Sequence, residues 1–246
     1  MSEFFLELFS EEIPSNLQIN ARNDLHKIFK KFFEDNEIII KDKINVYSTP
    51  NRLIIYINKI SKEVTKKAEE VRGPNINTPE KALAGFLKSN KIVKEKVYKK
   101  NTEKGIFYFY NKPSQKIKTF DLLKENIASL LLKISWKKSM KWGDHDLYWG
   151  RPLKSILAIF DKKVIDFKLK HLQSSNKTFV DKDLEEEIKT FNDFKSYFKF
   201  FKKMGIIIDQ NKRKEFIIKE INKITNYKKI QTNFNEKLID EITNIV

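Results

Sequence analysis

The spacing of apolar residues predicts a chain that begins with a strand, a helix and two further strands. Residues 4–9 form a nearly continuous apolar run, which is typical of a buried strand. Between residues 17 and 32, apolar side chains recur every three or four positions, as on one stripe of a helix. Residues 44–49 and 53–60 are rich in strand-forming residues and flank a turn signal, Pro50-Asn51. This β-α-β-β start favours an antiparallel or mixed sheet with a helix on one face.

Further along, the pattern alternates between strands and helices and then becomes mainly helical. Thr78-Pro79-Glu80 predicts a helix start, with Thr78 as the capping residue. Asp161-Lys162 predicts the turn of a hairpin. The remaining predicted elements are a strand at 106–110, a helix at 119–133, hairpin strands at 153–160 and 164–169, helices at 191–204 and 210–224, and a short strand at 206–208.

These elements predict an α+β fold with mixed or antiparallel sheets, packed helices and a helical C-terminal part. A boundary between 175 and 190 is expected, because residues 173–177 are polar and residues 185–187 are acidic. We therefore predict an α+β region at 1–175 and a mainly helical region at 176–246.

Composition narrows the class of protein. No apolar run reaches the roughly 18 residues that a membrane span needs, so no membrane partner is expected. The first residues carry Glu3 and Glu7 and no basic segment, which is unlike a signal peptide. The chain has no cysteine, which excludes disulfides and thiolate metal sites and favours a cytoplasmic location.

The net charge of +16 favours an anionic partner, of which nucleic acid is the commonest. Between residues 81 and 118 there are eleven lysines against two glutamates, a net charge of +9. The candidate phosphate contacts are Lys94, Lys96, Lys99, Lys100 and Lys104, which we expect to share one side of a hairpin. The alternative is a solvated lysine surface that reflects an AT-rich genome.

Two further clusters invite a functional interpretation. Asp144 and Asp146 would point the same way on a strand, as magnesium ligands of a nucleotidyltransferase do, but a polar loop is the favoured interpretation. Trp136, Trp142 and Trp149 are expected to be core anchors. Stacking on unpaired RNA bases is their alternative role.

Four stretches of the chain resemble one family, the β subunit of bacterial heterotetrameric glycyl-tRNA synthetase. Their order and spacing both match, although Asn51, Lys137 and the segment 174–180 depart from the family's usual residues. The matching stretches are Glu7-Leu8-Phe9-Ser10-Glu11-Glu12-Ile13-Pro14, Ser48-Thr49-Pro50-Asn51-Arg52-Leu53, Arg72-Gly73-Pro74 with Ala84-Gly85-Phe86-Leu87, and Trp136-Lys137-Lys138-Ser139-Met140-Lys141-Trp142-Gly143 with Gly150-Arg151-Pro152-Leu153.

The resemblance implies the N-terminal portion of a tRNA-handling subunit with no aminoacylation site of its own. It implies an α subunit that binds glycine and ATP within an α2β2 complex, with tRNA(Gly) as the substrate and no cofactor on this chain. The chain's own residues agree, because it has neither a P-loop nor a Gly-x-Gly segment. Since the last residues, 240–246, read as part of a helix, a longer protein is expected. The rival interpretations are a nucleotidyltransferase-like enzyme and a stand-alone RNA-binding module.

Overall fold

The computed structural model describes residues 1–180, 187–233 and 235–246. Packing divides the chain into two compact units, of which the first comprises Met1–Lys62 and Lys118–Val246 and the second comprises Glu63–Ile117. The boundary predicted between 175 and 190 falls inside the first unit and stays a prediction. Residues 185 and 186 of the acidic stretch that suggested it lie outside the described residues.

The described residues form an α+β fold, which confirms the predicted class. The chain opens with β1 (Ser2–Ser10), α1 (Ser15–Asp35), β2 (Asn45–Thr49) and β3 (Arg52–Ile60). The next elements are β4 (Glu63–Lys66), β5 (Glu69–Asn75), α2 (Glu80–Asn90), β6 (Val97–Thr102), β7 (Gly105–Lys112), β8 (Gln115–Lys118) and α3 (Thr119–Leu131). The remainder is β9 (Leu153–Phe160), β10 (Lys163–Val164), β11 (Lys168–Leu169), β12 (Leu172–Ser175), β13 (Lys177–Phe179), β14 (Ile188–Thr190), α4 (Phe194–Lys203), α5 (Gln210–Lys228) and α6 (Glu236–Ile245).

Strand β1 lies at the centre of the first unit. It pairs antiparallel with β3 and β9, while β12 joins β9 in parallel, so the sheet is mixed. The Phe4 ring lies 5.8 Å from that of Phe29 on α1. The Phe5 ring faces the other way and lies 4.8 Å from that of Tyr197 on α4. Both faces of β1 are therefore buried, which explains the continuous apolar run in its sequence.

The second unit is a small antiparallel sheet with one helix. Its strands follow the order β5-β7-β6, and β4 pairs separately with β8. Helix α2 packs on β5 beside Gly73, where an added Cβ would lie 3.0 Å from the ring of Phe86. The two parts of the third stretch that carries the family resemblance, around Gly73 and around Phe86, therefore meet in this contact.

The predicted β-α-β-β start, the helix at α3 and the turn at Asp161-Lys162 are confirmed. The second hairpin strand is shorter than predicted, because within the hairpin only Lys163 and Val164 of β10 pair with β9. None of the helices in the described residues has the length and apolar content needed to cross a membrane.

Two predicted details are wrong. Residues 206–208 form no strand but follow Gly205 (φ +79°) out of α4, where the Ile206 N–H donates to the Phe201 carbonyl at 2.9 Å. This segment is apolar because Ile208 is buried in the core, and not because it pairs. Thr78 does not cap α2; its hydroxyl donates to the Asn75 carbonyl at 2.5 Å, and the helix begins after Pro79.

Candidate nucleic-acid interface

The five candidate lysines lie on or beside strand β6. Lys99 and Lys100 belong to the strand, Lys94 and Lys96 lie in the short 3-10 turn before it, and Lys104 lies in the turn after it. All five side chains are exposed. Because β6 is an edge strand of its sheet, these residues form a basic edge that a polyanion could follow. We refer to these five lysines as the β6 edge.

The sequence predicted that the lysines share one side of the hairpin, and this detail is wrong. On the neighbouring strand β7, Tyr108 lies opposite Lys99 and Phe107 lies opposite Lys100. Side chains alternate between the two faces of a strand, so neighbouring lysines must point in opposite directions. What the candidate residues share is an edge of the sheet, and not a face.

Lys100 is held by an acidic partner on the same sheet. Its ammonium lies 2.6 Å from the Glu70 carboxylate, to which the Tyr98 hydroxyl donates at 2.5 Å. Both hydrogen bonds lower the pKa of Glu70, and the one from Lys100 has the larger effect. The charge of Lys100 is thereby partly balanced, whereas the other four lysines of the β6 edge make no ion pair within the described residues.

One sheet face of the second unit combines aromatic rings with cations. The Arg72 guanidinium lies 3.6 Å from the centre of the Phe107 ring. Lys100 lies 5.3 Å from the centre of the Phe109 ring, and that ring stacks on Tyr98 at 6.2 Å. The sequence predicted a strand at 106–110, which is confirmed as part of β7. It could not place Arg72 there, because that requires the register between β5 and β7.

The charge of the second unit agrees with an anionic partner. Between Glu63 and Ile117 there are twelve lysines and one arginine against six glutamates, a net charge of +7. Such a concentration of one sign raises the local potential and attracts nucleic acid from solution. Most of these cations are lysines, which contact phosphate as point charges without reading sequence.

The three tryptophans have different environments. Trp149 is buried, with 2% of its surface exposed, and its ring lies 5.1 Å from that of Trp136. Trp136 closes over Gly150, where a Cβ would lie only 2.3 Å from the Cε3 atom of the indole. Trp142 is 57% exposed. The prediction of a core anchor is therefore confirmed for Trp149 and wrong for Trp142, which lies in a loop that faces solvent.

Asp144 and Asp146 lie in that same loop and not on a strand, so the alternation that would align two carboxylates does not apply. The Lys141 ammonium lies 3.1 Å from Asp146, and its hydrogen bond lowers the pKa of that carboxyl. No three metal-ligating side chains cluster anywhere in the described ranges. The interpretation as a polar loop is confirmed.

The most enclosed charged group is structural. Glu7, fully buried on β1, accepts hydrogen bonds from the hydroxyls of Thr178 and Tyr197 and lies 3.4 Å from Arg52. Burial raises the pKa of Glu7, and the positive charge of Arg52 opposes that shift. With no exposed surface of its own, this carboxylate links β1 to β3, β13 and α4.

Comparison with known proteins agrees with the resemblance seen in the sequence. Residues 4–246 match the family described as "Glycyl-tRNA synthetase beta subunit". The chain is 34% identical over 245 residues to the glycine–tRNA ligase beta subunit of Rickettsia prowazekii, covering all of this chain and 36% of that protein. It is 33% identical over 250 residues to that of Rickettsia felis, again over the whole chain and 37% of the relative.

These matches place the chain among the subunits of aminoacyl-tRNA synthetases. The chain belongs to the glycyl-tRNA synthetase beta-subunit family. It spans a little more than a third of the length of the curated relatives that it matches.

Proposed function

We propose that this chain supports the ATP-dependent ligation of glycine to tRNA(Gly) as a subunit without an aminoacylation site. In this proposal an α subunit binds glycine and ATP, the two subunits form an α2β2 complex in the cytoplasm, and this chain contacts tRNA. The relatives' description as glycine–tRNA ligase beta subunits supports the reaction and the division into subunits.

The engagement of the arginines supports the absence of an aminoacylation site. Such a site needs arginines that are free to hold the ATP phosphates and the adenylate. Here four of the five arginines already contact a distant part of the chain, and Arg151 donates to the carbonyl of its neighbour Gly150. The contacts are Arg22 with Ser48 and Asn244, Arg52 with Glu7 and two carbonyls, Arg72 with Phe107, Arg151 with the Gly150 carbonyl, and Arg213 with three carbonyls.

The proposed tRNA contact rests on one observation. A chain of the glycyl-tRNA synthetase beta-subunit family presents the β6 edge, a row of exposed lysines. Lys94, Lys96, Lys99 and Lys104 are exposed along one strand and its flanking turns. A row of ammonium groups can follow the phosphates of an RNA backbone, and it releases counterions on binding. Because lysine makes point contacts, the edge positions tRNA and leaves selection of the correct tRNA to other parts of the complex.

The division of labour is tested by adding the components separately. With glycine, ATP and tRNA, the chain alone is expected to show no glycine-dependent exchange of pyrophosphate into ATP and no charged tRNA. Addition of an α subunit is expected to give glycyl-adenylate. Adenylate formation by this chain alone would contradict the proposal. Failure of the chain to bind tRNA, or failure to bind the α subunit, would contradict it as well.

A further inference from the structure

The loop from residue 136 to residue 150 in the first unit combines an anchored base with exposed aromatic side chains and lysines, and it is separate in sequence from the β6 edge. The base of this loop is anchored, since Leu147 and Trp149 are buried and Trp136 packs over Gly150. Met140 and Trp149 exchange two backbone hydrogen bonds, at 2.9 and 3.1 Å. The loop therefore has a fixed base, and its residues 141–146 are exposed to solvent.

Two large aromatic side chains lie outside this anchored base. Trp142 is 57% exposed and Tyr148 is 60% exposed, and no aromatic ring of the described residues stacks on Trp142. The indole thus offers a free planar face. An aromatic side chain of this kind gains free energy when a flat partner covers it.

The charges around these rings favour a nucleotide as that partner. The Lys141 ammonium lies 5.2 Å from the centre of the Tyr148 ring, and Lys137 and Lys138 are exposed nearby along the chain. Lys141 also pairs with Asp146, which partly balances both charges, whereas Lys137 and Lys138 make no ion pair within the described residues. Lysines are depleted at the centre of protein–protein interfaces, whereas stacking rings beside cations characterise sites for unpaired nucleic acid.

We propose that Trp142 stacks on an unpaired nucleotide of RNA while the lysines beside it contact the adjoining phosphate. The inference rests on the proposed function only in that the complex handles tRNA, a molecule with unpaired nucleotides. Trp142 supplies the stacking face, and the anchored loop holds that face in place before RNA binds. Double-stranded RNA has no unstacked base to offer, so it does not use this site.

The test is a titration of the chain with a short single-stranded oligoadenylate RNA and with an RNA duplex that carries the same number of phosphates. Stacking is expected to quench tryptophan fluorescence with the single strand. Trp142→Ala is expected to abolish that quenching and to weaken binding of the single strand by about 5- to 150-fold, the range that stacking on one base corresponds to. Trp142→Phe, which keeps a ring, is expected to retain much of the affinity.

Controls separate this site from the β6 edge. Tyr227→Ala removes another exposed aromatic, 88% accessible on α5, and is expected to leave affinity for both RNAs unchanged. Reversal of lysines at the β6 edge should weaken binding of the single strand and of the duplex alike. If Trp142→Ala leaves single-strand affinity unchanged while the duplex still binds, only the stacking site is refuted. Failure to bind either RNA refutes the tRNA contact and the stacking site together.

An effect on a protein partner would also overturn the inference. If Trp142→Ala lowers affinity for the α subunit while binding of single-stranded RNA is unaffected, the loop is a protein contact. The thermal stability of the variant is measured in parallel, and it is expected to match that of the wild type because the indole is mostly in solvent.

Discussion

The Glu7 carboxylate on β1 lies 3.4 Å from the Arg52 guanidinium on β3, and both side chains are almost fully enclosed. Arg52 also donates to the carbonyls of Phe179 and Val180, at 2.6 and 2.8 Å. This ion pair joins the first two stretches that carry the family resemblance, and it ties them to β13. Removing one partner would leave a charge buried without compensation.

Arg52→Met is therefore expected to lower the free energy of unfolding by about 3–5 kcal/mol, measured by chemical denaturation. Lys62→Met also breaks an ion pair, the one between Lys62 and Asp161, but both side chains of that pair are about half exposed. This control is expected to cost less than about 1 kcal/mol, since solvent screens such pairs. Equal losses in the two variants would show that the Glu7–Arg52 pair does not hold the fold together.

Gly150→Ala is expected to destabilise the first unit by roughly 1–3 kcal/mol, the usual cost of overpacking. The new methyl group would lie 2.3 Å from Trp136, so the indole or the backbone at Gly150 must move. Gly85→Ala is the matched control, because nothing lies within 4 Å of its added Cβ and it lies inside helix α2. That variant should gain about 0.5–1 kcal/mol. Comparable thermal melts for the two variants would contradict the close approach of Trp136.

Trp149→Ala is expected to cost about 3–5 kcal/mol of stability, as for other large aromatics removed from a core. Trp142→Ala should change stability by no more than about 0.5 kcal/mol, because its side chain is mostly solvated. Unfolding of both variants in urea distinguishes the two positions. A large loss for Trp142→Ala would mean that the loop packs against something in solution and is not free to bind.

The sequence predicted those elements whose pattern is local. The apolar run at β1 and the stripe of α1 follow directly from burial of a strand on two faces and of a helix on one. Burial in loops has no such period, so three neighbouring tryptophans looked alike although only Trp149 is enclosed. The strand prediction at 206–208 is wrong for a related reason, because these apolar residues pack against the core without pairing.

The candidate site was only partly predictable. Charge counts identified the lysine-rich segment, but which way each lysine points depends on strand alternation, and so Lys99 and Lys100 diverge. The partners Glu70 and Arg72 lie on β5, about 30 residues before β6, and pairing register brings them to this face. Register is a property of the folded sheet, and composition does not reveal it.

Stability is expected to fall as pH rises above about 10, the ordinary pKa of tyrosine. Burial raises the pKa of Tyr47 and Tyr56, and burial together with Glu7 raises the pKa of Tyr197. The native state therefore keeps these hydroxyls protonated while the unfolded chain releases their protons, which favours unfolding at alkaline pH. Below this range the contribution of these groups to stability is fully present.

Urea denaturation at a series of alkaline pH values measures this effect. Tyr56→Phe removes one of the shifted groups, so its stability should fall less steeply with pH than that of the wild type. If the two proteins lose stability in parallel, Tyr56 is not held neutral by the fold.

The central claim, that the β6 edge contacts the tRNA backbone, is tested most directly by the salt dependence of tRNA binding. The test variant reverses Lys94, Lys96, Lys99 and Lys104 to Glu, and it keeps Lys100 because reversal there would place two carboxylates side by side at Glu70. The control reverses four exposed lysines on α5 and at its C-cap, which gives the same change in net charge. These four are Lys212, Lys219, Lys228 and Lys229, and none of them makes an ion pair within the described residues.

For the wild type, the logarithm of the binding constant should fall linearly with the logarithm of salt concentration, by about 0.7–0.9 per phosphate contacted. The β6-edge variant should bind all tRNAs more weakly and with a flatter slope, while the α5 control should keep the wild-type slope. If both variants lose the same affinity and slope, or neither changes, tRNA does not follow the β6 edge.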